Sequence, residues 1–260
     1  MPPARLGKPM RSDPEWIQWG KVDPLWAVCT VPGKQKSGGA PWTDTEFYSS
    51  GEAAWKVCER AWKYHGLVNT ENCLEIGCGA GRITRALAQT FCQVHAVDVS
   101  PDMIEYAKQN IHSGNVHWHL TSGSTLPLPD HSVAAAFSIL VFRHFDHPND
   151  GLAYFQEIYR VLKPGGALMI EIPLYEWPVS SKTWRGRLGR RLFGTIHETR
   201  MALQKAIADF QRWRRKPVMR GIYYNAEELY KALTAMGFVD IDVRVMGTLG
   251  SPWVFATKPL

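Results

Sequence analysis

An α/β fold with a parallel sheet is what this 260-residue sequence predicts, and three observations carry it. Short apolar runs alternate with amphipathic stretches through the middle of the chain, the rhythm of β-α-β crossovers whose helices cover both faces of a sheet. The first run enters a glycine cluster (Gly77, Gly79, Gly81) and the second ends in an acid, Asp98. The composition, 45% hydrophobic and 21% charged, suits one large globular domain and excludes a disordered chain, a collagen-like rod or a coiled coil.

In chain order, residues 1–45 read as an irregular arm rich in Trp, Pro and Gly, with PGKQKSGGAP at 32–41 a loop by composition. Trp16 and Trp19 suit anchors that pack on the body, since tryptophans are poor choices for a solvated tail. The domain proper is expected over 46–260. Its first helix runs from Glu46 to Tyr64 on the spacing of Phe47, Ala54, Val57, Ala61 and Tyr64. Trp55 and Trp62, seven apart, read as packing residues on it. Asn72 to Ile76 is a strand, Gly81 to Gln89 helical, and Gln93 to Val97 a strand. Ser100-Pro101 then caps a helix over 102–110. Val116 to Leu120, Val133 to Leu140 and Ala167 to Ile172 are further strands, with a helix over 150–162. After Ile172 the rhythm breaks into an insertion, 174–222, with a helix from Thr195 to Trp213. Asn225 caps a helix over 226–236 that Gly237 closes, and the runs 238–245 and 253–257 are the last strands.

Charge is unevenly placed. Lys182 to Arg220 holds twelve Lys and Arg against two acids, whereas the remaining residues carry a net −4 within a total of +6. Any anionic partner is therefore expected at the insertion. Five cysteines without a CxxC pair read as reduced thiols. The longest apolar run, Val133 to Phe142, is half the roughly 20 residues of a membrane span. The start of the chain has no apolar stretch of a secretory signal, and a cytoplasmic location is expected. His117 and His119 alternate on one strand face, but two ligands do not make a metal site, and no metal is expected.

The chemistry gathers around LEIGCGAGR, Leu74 to Arg82. Three glycines at a strand-to-helix turn let a ligand approach the backbone and its N–H groups. Asp98, at the end of the next strand, stands where a carboxylate reaches ribose hydroxyls. A dinucleotide loop would share both features, yet its third glycine falls where Arg82 stands, and Glu75 opens the pattern ExGxGxG instead.

With AVDVSPDMIEYAK (96–108), LPLPD (126–130), RHFDHP (143–148) and RVLKPGG (160–166), the segment from about Cys73 to Ile172 resembles the class I S-adenosylmethionine-dependent methyltransferases, in the small-molecule branch grouped as methyltransferase type 11. The resemblance implies a Rossmann-like, seven-stranded sheet, parallel except for one reversed strand near the C-terminus, with helices on both faces; to it this sequence adds the N-terminal arm and first helix, expected to close over the cofactor, and the insertion after strand five, expected to be a helical lid. It implies S-adenosylmethionine at the carboxyl ends of strands one, two and four. Glu75, Gly77, Cys78, Gly79 and Gly81 would form the pocket for its amino acid and ribose portions, Asp98 would accept both ribose hydroxyls, and Val99 and Met103 would flank the adenine. Ser122, followed by Gly123 and Ser124, stands where the family usually has an acid for the adenine amino group. The usual Phe-Asp of the fourth strand is Val133-Ala134 here.

His144 falls in the family's slot beside the transferred methyl, where a neutral imidazole of pKa about 6.5 could act as general base or orient the substrate. Arg143 could clamp an anionic group. Glu171, Tyr223 and Tyr224 complete the candidate substrate pocket. The expected activity is methyl transfer to a small molecule, with an anionic substrate drawn by the insertion. Alternatives are an RNA methyltransferase using the basic insertion and a non-catalytic protein that binds the cofactor as a partner of another enzyme. A membrane surface is a lesser partner for the Arg- and Trp-rich stretches.

Overall fold

The computed structural model describes residues 10, 13–66, 69–123, 125–175, 221–245 and 252–260. Over residues 13–28 the arm is helical rather than irregular, with α1 (Asp13–Val22) and α2 (Pro24–Val28), and the expected loop at 32–41 carries the chain to α3 (Asp44–Tyr64). Its helices escape the hydrophobic pattern because the buried residues of α1 are Asp13, Glu15 and Gly20. α2 starts on a local signal, the Asp23 side chain accepting from the Trp26 N–H with Pro24 in the first turn.

α3 opens two residues before the expected Glu46, on a capping box between Thr43 and Glu46. Its buried stripe is Phe47, Tyr48, Gly51, Trp55, Cys58 and Trp62. Tyr64, expected on that face, is 85% exposed. Trp55 and Trp62 pack edge to face at 6.4 Å and both reach Phe137 beneath them, which bears out their reading as core residues.

From there the chain alternates: β1 (Asn72–Ile76), α4 (Thr84–Thr90), β2 (Gln93–Asp98), α5 (Pro101–Asn110), β3 (Val116–Leu120), β4 (Val133–Ser138), a 3-10 turn at Phe142–His144, α6 (Pro148–Val161) and β5 (Leu162–Glu171). A two-residue strand β6 (Leu174–Tyr175) pairs in parallel with β7 (Tyr224–Asn225), and then come α7 (Ala226–Met236), β8 (Val239–Val245) and β9 (Pro252–Thr257). The seven main strands lie in the order β3-β2-β1-β4-β5-β9-β8. β9 runs antiparallel to both neighbours and the other pairings are parallel, as expected. β5 starts five residues before the expected Ala167, at Leu162, with Gly165 at φ 73° inside it.

β1 and β4 are buried at every position, which explains the apolar run of β4 from Val133 to Phe137, while the buried Asn72 and Glu75 of β1 and Ser138 of β4 are each hydrogen-bonded. Core packs on both faces of the sheet: Trp55, Trp62 and Phe91 on one, Phe142, Phe155, Ile158 and Leu233 on the other. The Lys182 to Arg220 segment, with its expected helix and lid, lies outside the described residues, but its roots do not. β6 and β7 bring them side by side, and Ile222 N–H donates to the Arg143 carbonyl at 2.8 Å. Among the described residues, no helix is long and apolar enough to cross a membrane.

Candidate active site

The crossing from β1 to β4, where the strand order reverses, opens a crevice at the carboxyl ends of the strands. β1 delivers the glycine turn there. Gly77 and Gly79 have φ of 70° and 53°, left-handed values that a side chain resists. A Cβ on Gly77 would meet Val141 at 2.3 Å and one on Gly79 would meet Val28 at 2.4 Å. Gly81 serves a different end, leaving room for Ile111 and Ala107 behind the turn.

β2 delivers Asp98, whose two oxygens accept the Gly79 N–H at 2.7 Å and the Ser100 N–H at 2.9 Å. The carboxylate is fixed from both sides before any ligand arrives. Burial nevertheless raises its pKa above the ordinary value, a cost that hydroxyl donors from a ligand would relieve. Around it lies a cavity of about 310 Å³ lined by Gly77, Gly79, Asp98, Val99 and Met103 from the expected set, and by Arg143 and His144.

Glu75 and Cys78 do not reach this wall. Glu75 is 2% exposed and accepts from Thr84 Oγ1 at 2.6 Å, bracing the start of α4 from behind. Burial pushes its carboxyl up to about 7. Cys78 is likewise buried, its thiol raised. Ser122 and Gly123 form the flank beside Thr121, which does line the cavity, and Ser124 lies outside the described residues.

At the other end of the cavity, Glu171 pairs with Arg143 and accepts the Leu140 N–H at 2.8 Å. Leu140 is held at φ 63°, unusual for a branched residue and diagnostic of a constrained site. Glu171 is thus a bracket for Arg143 and Leu140 rather than a wall residue. Tyr224 is buried, donates to the Phe142 carbonyl at 2.8 Å and also stands outside the wall. Tyr223 is half-buried beside it.

His144 lines the cavity, with the edge of Trp16 against it at 4.9 Å between ring centres. Burial, with Arg143 adjacent, lowers its pKa to about 3. The imidazole is therefore neutral at physiological pH, as expected, but the rate limb near pH 6.5 that a base of ordinary pKa would give is not supported. A group this weakly basic holds an abstracted proton poorly.

The arm lines the cavity, with the expected anchor Trp16 in its wall, and adds residues the sequence did not mark: Met10, Asp13, Ala27, Val28 and Thr30. Asp13 Oδ2 accepts from the Gly123 N–H at 3.1 Å and the Met10 N–H at 3.0 Å, and burial raises its pKa. Tyr154, from α6, also lines the cavity, stacks on Phe145 and donates to the Gly123 carbonyl at 2.7 Å. Asp23-Pro24 was the local signal for α2; nothing in the spacing marked Asp13. On the sheet edge, His95 joins His117 and His119, with 3.1 Å between ring nitrogens of His95 and His119. Among the described residues, no group of His, Cys, Asp or Glu could hold a metal ion.

Residues 74–170 match the family described as methyltransferase domain. A demethylmenaquinone methyltransferase of Tropheryma whipplei is 34% identical over 46% of this chain and 48% of its own length. A ubiquinone/menaquinone biosynthesis C-methyltransferase of Desulfotalea psychrophila is 26% identical over 69% of this chain and 71% of its own. The chain thus spans about half the length of the first of these relatives. Among solved structures, the magnesium protoporphyrin IX methyltransferase of Synechocystis with bound SAH superposes with a TM-score of 0.54 at 15% identity, covering 85% of this chain and 90% of that one.

Proposed function

We propose that this chain, which carries a methyltransferase domain of the class I fold over residues 74–170, transfers the methyl group of S-adenosylmethionine to a small molecule with an uncharged, ring-bearing body. The observation that carries the reading is the Asp98 carboxylate, fixed by the Gly79 and Ser100 amides in a cavity that is also walled by Trp16, Leu140, Val141, His144 and Phe145.

The residues present fit the cofactor. Gly77 and Gly79 leave open the space a side chain would take, Asp98 offers its oxygens to the ribose hydroxyls, and Val99 and Met103 give the adenine an apolar berth. When bound, S-adenosylmethionine supplies an electrophilic methyl on a sulfonium centre. The chain's own part is to hold the nucleophile in line and keep water out, and alignment of this kind accounts for a large share of such rates. Trp16, Val141 and Phe145 offer a slot for a planar ring, and neutral His144 can accept a hydrogen bond from a ring hydroxyl. Among the described wall residues Arg143 is the one cation of fixed charge, and Glu171 already pairs it. That favours an uncharged body over an anionic one; the relatives named for quinone methylation agree with a ring.

Calorimetry with S-adenosylhomocysteine, followed by transfer of labelled methyl to reduced naphthoquinones or to total RNA, tests this. Micromolar binding and label in the quinol support it. Label in RNA, or binding of NAD in place of S-adenosylhomocysteine, overturns it.

A further inference from the structure

We infer that Asp13, brought in by the arm, is the residue that reads the exocyclic amine of the cofactor's adenine. The inference rests on the cofactor reading above and adds to it a recognition residue from outside the matched segment, 74–170.

The strand order supplies the direction in which the cofactor lies. With β3, β2, β1 and β4 side by side, the cavity runs from the loop after β3 (Thr121), past Asp98 at the end of β2 and the glycine turn after β1, to Leu140, Arg143 and His144 after β4. In S-adenosylmethionine the ribose lies between the adenine and the sulfonium. With the diol on Asp98, one end of the molecule points to the β4 side and the other to the β3 side. The substrate wall of Trp16, His144 and Phe145 is on the β4 side, so the methyl must face it. The adenine is left with the β3 side, beside Val99, Met103 and Thr121.

An adenine there presents an amine with two N–H donors, and a buried donor needs an acceptor. The β3 loop offers no carboxylate over Thr121–Gly123. Asp13 lines the cavity, is 7% exposed, and is tied to the loop after β3 by the Gly123 N–H that its Oδ2 accepts. The Met10 N–H also falls on Oδ2, which leaves Oδ1 to accept from a ligand. Tyr154 fixes the partner loop through the Gly123 carbonyl. Acceptor and loop are therefore set in place before the base arrives.

The test compares S-adenosylhomocysteine with its 6-deamino (purine) analogue by calorimetry on each protein. A charge-assisted bond to the amine should make the parent prefer the amino form by about ten- to a hundredfold. Asp13→Ala should bring the ratio near one, and Asp13→Asn should leave a reduced preference, since a neutral acceptor makes a weaker bond. Because each ratio is taken within one protein, a general loss of stability cancels. If Asp13→Ala does not fold, Asp13→Asn decides, and a ratio unchanged from the parent overturns the inference. Parent protein that binds both forms equally overturns it while leaving the cofactor reading intact; parent that binds neither overturns both.

Discussion

The Glu171 carboxylate holds Leu140 in a left-handed backbone conformation by accepting its N–H at 2.8 Å, and the same carboxylate pairs with Arg143. One buried acid thus fixes the shape of the loop after β4 and neutralises the cation beside the substrate wall. Removing it as Glu171→Ala should take the buried carboxylate away from the Arg143 guanidinium and from the Leu140 N–H. Stability should fall by the lower end of the about 3–5 kcal/mol seen for a broken buried pair, because Arg143 keeps part of its surface exposed. Urea unfolding measures this, and a loss under 1 kcal/mol would show that the bracket is not held by charge.

Asp98→Ala should lower affinity for S-adenosylhomocysteine by about 1.5–3 kcal/mol, the scale of hydrogen bonds to a charged acceptor. Gly79→Val should abolish binding by a separate route, since a Cβ at φ 53° is strained and would sit 2.4 Å from Val28. Calorimetry distinguishes the two: the first weakens a bound state, whereas the second should also displace the arm and raise its protease sensitivity.

His144→Gln should reduce turnover by less than the about 10²–10⁴-fold of a lost general base. With a pKa near 3, the imidazole carries no charge between pH 5 and 8, so the parent's rate profile should show no limb from it in that range. A limb near pH 6.5 that vanishes in the variant would make His144 the base after all.

Glu75 gives the fold a pH dependence of known sign. Its carboxyl binds a proton more tightly when folded, with a pKa of about 7 against an ordinary 4.5. The stability it contributes is whole below about pH 4.5 and is lost as pH rises through about 7. Glu75→Gln, a neutral mimic that still accepts from Thr84, should therefore flatten the fall in urea midpoint between pH 5 and pH 8. Equal falls in variant and parent would assign the dependence elsewhere.

The central sheet was legible because β1 and β4 are buried on both faces and so are mostly apolar, and because Gly77, Gly79 and Asp98 have backbone and charge requirements that few other residues meet. The arm was not. α1 buries Asp13, Glu15 and Gly20, and a helix that docks through polar groups leaves no hydrophobic stripe to read. The stripe of α3 was misplaced for a related reason: Tyr64 fits the spacing of an apolar face but lies one step off the line of Trp55, Cys58 and Trp62. The roles of Glu75, Glu171 and Tyr224 as supports rather than walls depend on where a side chain points across strands, which spacing along one strand does not encode.

The arm's share of the cavity has a thermodynamic corollary. A ligand that touches both Asp98 and the pair Asp13 and Val28 bridges segments of chain separated by dozens of residues, so occupancy and arm docking are linked equilibria. Each must favour the other by the same factor. Saturating ligand at a hundred times its Kd would strengthen docking by about 2.7 kcal/mol if the undocked form does not bind. Residues 13–45 are then a reporter of the cavity's contents: their protection from a protease, titrated against ligand, is a binding isotherm.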